Sequence, residues 1–204
     1  MPAGAWPLGS GLIYVRGADS SIAKALAGIA PVIPVAREDR MPLDGVRYLF
    51  CVGLLRQKRR HEQTKEEQDD GFRVNLWQVT DECERLFSAN DRARVCVIGS
   101  ESAYRGSFDE TYGMAKLRLH EYVERKALKA GQQLVCVSPS IVLNTGMTNA
   151  RNAGGLAAME DRRKRHPQRR WLQPMEVARM VHFLLCEDKG YTTNTVIRMH
   201  GGEY

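Results

Sequence analysis

Six short apolar runs, separated by helix-like or polar stretches, constrain this chain more than any other feature. They fall at residues 12–15, 31–35, 48–52, 95–98, 134–137 and 195–199 and are rich in Val, Ile, Leu and Tyr. Between them, Ile22 to Leu26 reads as a helix after a Gly/Ser turn. Phe72, Leu76, Val79, Cys83, Leu86 and Phe87 recur at helical spacing, 111–130 is a long helix ending at Gly131, and Pro174 opens an amphipathic helix through Leu185. Strands that are apolar throughout, rather than alternating with polar residues, must be covered on both faces. Alternated with helices, they predict an α/β protein built on a doubly wound parallel sheet, with ligands at the strands' carboxyl ends. No repeat or boundary interrupts the pattern, so 1–204 is expected to form a single domain. Within it, the polar, basic stretch 144–172 is expected to be a substrate lid.

Composition excludes several classes. No apolar stretch approaches the roughly 20 residues that span a bilayer, and the N-terminus lacks the basic start and apolar core of a signal peptide. Five scattered cysteines without a Cys-x-x-Cys pair, three of them inside apolar runs, read as small buried hydrophobes in a reducing cytoplasm. The histidines have no metal-ligand spacing, so no metal is expected. Much of the net charge of +6 sits in residues 56–61 and 162–170. These runs lack interleaved aromatics and read as solvated surface, although a nucleic-acid binder using the basic lid is a third functional reading.

Residues 112–116 read Tyr-Gly-Met-Ala-Lys, and Ser100 ends the strand-like run twelve residues before Tyr112. Positions i and i+4 share one helix face, so the phenol and ammonium can enter one pocket that Ser100 reaches from the sheet. A cation beside a phenol favours the phenolate, as an acid/base tyrosine near neutral pH requires.

In order along the chain, these pieces resemble the short-chain dehydrogenase/reductase family. The resemblance rests on Ser100 in its strand, on Tyr112-Gly-Met-Ala-Lys116, and on Asn75 in Phe-Arg-Val-Asn-Leu. Further along lie Pro139 with Thr145-Gly-Met-Thr148, then the closing helix and Gly201-Gly202. It implies a Rossmann-like fold and an NAD(P)-dependent oxidoreductase interconverting a small carbonyl and an alcohol. Tyr112 would be the acid/base. Lys116 would tune it and touch the nicotinamide ribose, Ser100 (or Ser102) would hold the reacting oxygen, and Asn75 would support a proton-relay water. Cofactor contacts would come from Arg16, Gly17, Asp19, Ser21, Ile22, Arg37, Gly53, Lys116, Ser140, Val142 and Thr145.

The chain departs from the family's pattern in three places. The glycine-rich turn keeps one glycine of three, as Arg16-Gly-Ala-Asp-Ser-Ser-Ile-Ala, and Cys51-Val-Gly53 replaces Asn-Ala-Gly. Only about ten residues separate Arg37 from Tyr48, too few for the usual helix and edge strand, so one of each is expected to be missing. The alternative function is therefore a catalytically silent relative that binds a nucleotide or partner as a sensor or scaffold. Arg16 and Arg37 at the ends of the first two strands suggest two cations facing one 2′-phosphate, hence NADP, with NAD as the other choice. The family's pairing through its long helices implies a homodimer. The chain stops at Tyr204, where many relatives continue, so a tetramer ranks second.

Overall fold

In the computed structural model, residues 11–148 and 156–203 are described, with side chains from Met159 onward in the second stretch. Six strands form a parallel sheet in the order β2-β1-β3-β4-β5-β6. They are β1 (Ile13–Arg16), β2 (Val32–Val35), β3 (Arg47–Phe50), β4 (Arg94–Ile98), β5 (Gln133–Pro139) and β6 (Thr195–Met199). The helices are α1 (Ser21–Ala27), α2 (Lys65–Phe72), α3 (Gln78–Ala89), α4 (Ser102–Arg105), α5 (Glu110–Arg125), α6 (Leu156–Arg165) and α7 (Pro174–His182).

Successive strand residues point to opposite faces, so each central strand feeds two cores. From β4, Val95 and Val97 join α3 and α5, while Cys96 and Ile98 join α1 and α7; from β5, Leu134 and Cys136 separate from Val135 and Val137 in the same way. The continuous apolar runs are thus explained by burial on both sides.

The edge of the sheet is β2, which pairs only with β1. Pro34 lies in it, and an edge strand tolerates the missing N–H. Residues 36–46 contain neither helix nor strand, so the sheet stops one strand early, as the short spacing predicts. Glu82, on α3 and 2% exposed, holds this link down. Its carboxylate accepts from the Met41 N–H at 3.0 Å, from Arg40 at 2.5 Å and from Arg85 at 2.9 Å. Asn90 and the Tyr48 hydroxyl bind the Gly45 carbonyl at 2.6 and 2.7 Å. Side chains from α3 and β3 thus satisfy backbone that secondary structure would otherwise have satisfied.

Three element boundaries differ from the sequence expectation. The long helix ends at Arg125 rather than near 130, because Asn194 donates to the Val123 and Lys126 carbonyls at 2.9 and 2.8 Å and satisfies acceptors at the helix end. Strand β5 runs through Pro139, which is in register with Met199. The stretch 144–172 contains helix α6, and residues 149–155 lie outside the described ones. A parallel bridge between Val142 and Leu172 pins the base of this stretch. Each boundary was set by groups far away in sequence.

Burial would raise the Glu82 carboxyl, but hydrogen bonds from Arg85 and Arg40 and from the Met41 amide overcome it and hold its pKa down to about 2, from 4.5. A depressed acid stabilises the fold fully above about pH 4.5 and loses that contribution as the pH falls toward 2. Glu82→Gln should therefore cost on the order of 2–3 kcal/mol at pH 7. The gap from wild type should close between pH 4.5 and pH 2 in thermal unfolding. A gap that stays constant across that window would mean that the charge is not what holds the link.

Candidate active site

The carboxyl ends of the strands open into a cavity of about 490 Å3. Helix α5 supplies its polar wall, and the helix begins at a made cap. Asp109, 2% exposed, accepts from the Tyr112 N–H at 3.1 Å, from Gln63 at 2.9 Å and from the Arg56 N–H at 2.8 Å. One carboxylate thus caps the start of the helix and ties the basic loop before α2 to it.

Tyr112 and Lys116, one turn apart, both border the cavity and are 5% and 2% exposed. The Lys116 ammonium donates to the Ile98 carbonyl at 2.8 Å and the Val52 carbonyl at 3.2 Å, and lies 5.9 Å from the centre of the Tyr112 ring. Burial lowers its pKa from 10.5 to about 8, so it remains mostly charged at neutral pH. Ser100 borders the same cavity; its Oγ accepts from the Ser102 N–H at 3.2 Å, which makes Ser102 a support for Ser100.

A further turn along α5 stands His120, 1% exposed, whose Nε2 accepts from the Ser100 N–H at 3.4 Å. Burial, with Lys116 beside it, lowers the imidazole to about 4, so the ring is neutral and its Nε2 is available to accept. Gly99 permits this approach, since a Cβ there would overlap both the ring and the Cys136 sulfur. The i, i+4, i+8 spacing of Tyr112, Lys116 and His120 was present in the sequence and went unread. Glu101, next to Ser100, is fixed by Arg198 at 2.5 Å and by the Ser138 hydroxyl at 2.9 Å.

Asn75 does not border the cavity. Its amide donates to the Leu54 and Gly71 carbonyls, both at 2.8 Å, and its Oδ1 accepts from the Leu54 N–H at 3.0 Å. It sits in a π-helical turn, Arg73–Trp77, between α2 and α3. Its side chain therefore fixes the strand-end loop that carries Val52 and Gly53, instead of reaching the centre directly.

The expected cofactor residues divide similarly. Asp19, Ser21, Ile22, Arg37, Gly53, Ser140, Val142 and Thr145 border the large cavity. Gly17 does not, but its φ of +85° and the overlap a Cβ would make with the Cys51 carbonyl show why this glycine alone of the turn's three is kept. Ser20 caps α1 through the Ala23 N–H at 3.2 Å. Ser21 donates to the Asn144 carbonyl across the cavity rim.

A second cavity of about 310 Å3 shares Arg37 and Val52 with the first and is bordered by Arg16, Arg73 and Gln78. The two expected cations on this second cavity, Arg16 and Arg37, differ in burial. Arg37 is exposed, whereas Arg16 is 6% exposed, binds the Asp39 carbonyl, lies 3.9 Å from Glu82 and stacks 5.7 Å over Phe50. Its charge is already used in holding the shortened link. Among the described residues, no cluster of His, Cys, Asp or Glu could hold a metal, and no helix is long and apolar enough to cross a membrane.

A family model described as enoyl-(acyl carrier protein) reductase matches residues 35–203. The chain is 26% identical over 159 residues to the 3-oxoacyl-[acyl-carrier-protein] reductase of Buchnera aphidicola, and 26% over 163 residues to the acetoacetyl-CoA reductase of Allochromatium vinosum. Each match spans 74% of this chain and 63% of the relative's length. Among solved structures, a short-chain dehydrogenase/reductase of Brucella melitensis superposes with a TM-score of 0.80 at 19% identity, covering 95% of this chain and 96% of the other. A 3-oxoacyl (acyl-carrier-protein) reductase of Agrobacterium tumefaciens with NADP bound gives 0.78 at 16% identity, covering 96% and 94%.

Proposed function

This chain belongs to the short-chain dehydrogenase/reductase family, and on that premise we propose that it is an NADP-dependent oxidoreductase interconverting a small carbonyl compound and an alcohol. The observation that carries the reading is the buried Lys116 ammonium beside Tyr112, with Ser100 on the same cavity. A desolvated cation next to a phenol is costly to maintain and has a use where the phenol must give up or take a proton.

The two cavities meet at Arg37 and Val52, and α1 begins at the edge of the larger one. In this reading Arg37 meets the adenosine end, Gly53 and Val142 flank the middle, and Lys116 touches the ribose nearest Tyr112. When bound, the nicotinamide supplies or accepts the hydride. Ser100 holds the substrate oxygen, with its backbone set by His120 and Glu101. Tyr112 delivers the proton to that oxygen in reduction and withdraws it in oxidation, while Lys116 favours the phenolate left behind. Asn75 acts through the Val52–Leu54 backbone, and the lid begins at Thr145 to Thr148, which border the cavity.

Tyr112→Phe should abolish turnover and leave NADPH affinity within about twofold, whereas Lys116→Ala should damage both. Activity above a few per cent of wild type in the phenylalanine variant would end the assignment.

The NADP preference now rests on Arg37 without Arg16. Arg37→Asp should raise the dissociation constant for NADPH at least tenfold more than that for NADH, measured by energy transfer from tryptophan. Equal affinities of the wild-type protein for the two cofactors would refute the preference.

We further infer a two-fold homodimer. Met114 and Leu117 on α5 and Trp77 beside α3 are 41%, 36% and 45% exposed, an apolar surface on the helices whose other sides are buried. Light scattering at micromolar concentration should give about twice the chain mass of 23.0 kDa, and a monomer would contradict the inference.

A further inference from the structure

The cavity holding Tyr112 and Lys116 adjoins a smaller one of about 190 Å3, and Ser100, Pro139, Ser140 and Ile141 border both. Beyond those shared residues, the walls of the small cavity are apolar at Phe108 and Met159 and cationic at Arg105 and Arg162. The basic run around Arg162, which the sequence offered as solvated surface or a nucleic-acid binder, therefore puts one guanidinium on the same small cavity as Ser100.

The acids around this cavity are already engaged. Glu203, with a side chain 9% exposed, accepts from Arg162 Nε at 2.9 Å, from Arg105 at 2.6 Å and from the Ser140 hydroxyl at 2.9 Å. Glu101 is taken by Arg198 and Ser138. Among the described residues, Arg162 spends only its Nε on Glu203, and its side chain is 41% exposed. The remaining guanidinium edge is a rigid pair of donors of the geometry that suits a carboxylate.

Building on the reductase reading, we propose that the small cavity is the subsite for a carboxylate on the substrate. Arg162, with Arg105 beside it, receives the carboxylate while Ser100 holds the carbonyl oxygen. The volume lies below the roughly 300–1,000 Å3 of sites for larger ligands, so the substrate is a short oxo acid. Phe108 and Met159 take its methylenes. The carboxylate is a spectator in the reaction. The carbonyl carbon receives the hydride of the reduced cofactor and the oxygen receives the Tyr112 proton, giving a hydroxy acid and the oxidised cofactor. Glu203 keeps Arg162 aimed at the cavity and binds Ser140 between the two chambers, which makes it a positioning residue.

The test compares 2-oxobutanoate and 4-oxopentanoate with their methyl esters, which keep the carbonyl and lose the charge. In the wild-type protein, kcat/KM for at least one acid should exceed that for its ester by tenfold or more, with NADPH as reductant. In Arg162→Gln this ratio should fall at least tenfold, mainly through KM, and Arg162→Lys should restore part of it. Both esters reduced as well as their acids by the wild-type protein, or a ratio unchanged in Arg162→Gln, would overturn the proposal. Should Arg162→Gln not fold, the wild-type ratio decides. Failure to reduce any of the four compounds would count against the reductase reading, and calorimetry then tests the subsite by itself. Saturable binding of either acid, weakened tenfold or more in Arg162→Gln, upholds the subsite, and no binding to the wild-type protein overturns it.

Discussion

The Lys116 ammonium, buried and bound to the carbonyls of Ile98 and Val52, is the contact on which the site depends. Those carbonyls lie at or just past the ends of β4 and β3. One side chain from α5 therefore ties the helix to two strand ends and sets the height of Tyr112, one turn earlier, above the sheet. The contact is electrostatically expensive, as the lowered pKa of about 8 shows. It holds because two carbonyl dipoles replace the water that burial removes. His120 repeats the arrangement one turn later in neutral form, accepting from the Ser100 backbone. Two residues on one helix face thus meet three points at the ends of the strands, and the helix cannot slide without breaking all of them.

The shortened edge shows how a fold can lose elements and keep its centre. Removing a strand and helix beside β2 leaves backbone polar groups without partners, and each buried one costs free energy. Glu82 and Asn90 replace them with side-chain acceptors and donors, and Arg16 is drawn into the same repair. The repair takes up a cation at the end of β1. The loss is confined to the β2 edge, while Tyr112, Lys116 and Ser100 lie on the other side of β1 in the sheet order.

Reading the strands and the Tyr112–Lys116 pair required only local periodicity. The apolar runs matched the strands within a residue or two; the four central strands are buried on both faces and must be apolar throughout, whatever their neighbours are. Tyr112 and Lys116 were legible together because helical geometry fixes their relation over four residues. The Asp109 cap had a signal that was passed over, an acid three residues before the tyrosine at the start of a helix. Helix α6 carried no amphipathic signal, since its sequence is largely charged.

The sequence by itself determined the alternation of strands and helices, the missing edge elements and the pairing of phenol with ammonium, since each follows from spacing along a few residues. The tertiary structure decided which charges are available for chemistry. Arg16 and Arg162 look alike in the sequence, yet one is buried against Glu82 and the other borders a cavity next to Ser100. The partners of Asn75 and His120 were set in the same way, the asparagine spending its amide on Leu54 and the histidine reaching Ser100. A side chain's use depends on its partner, and these partners are between 20 and 70 residues away along the chain, a distance that only the fold closes.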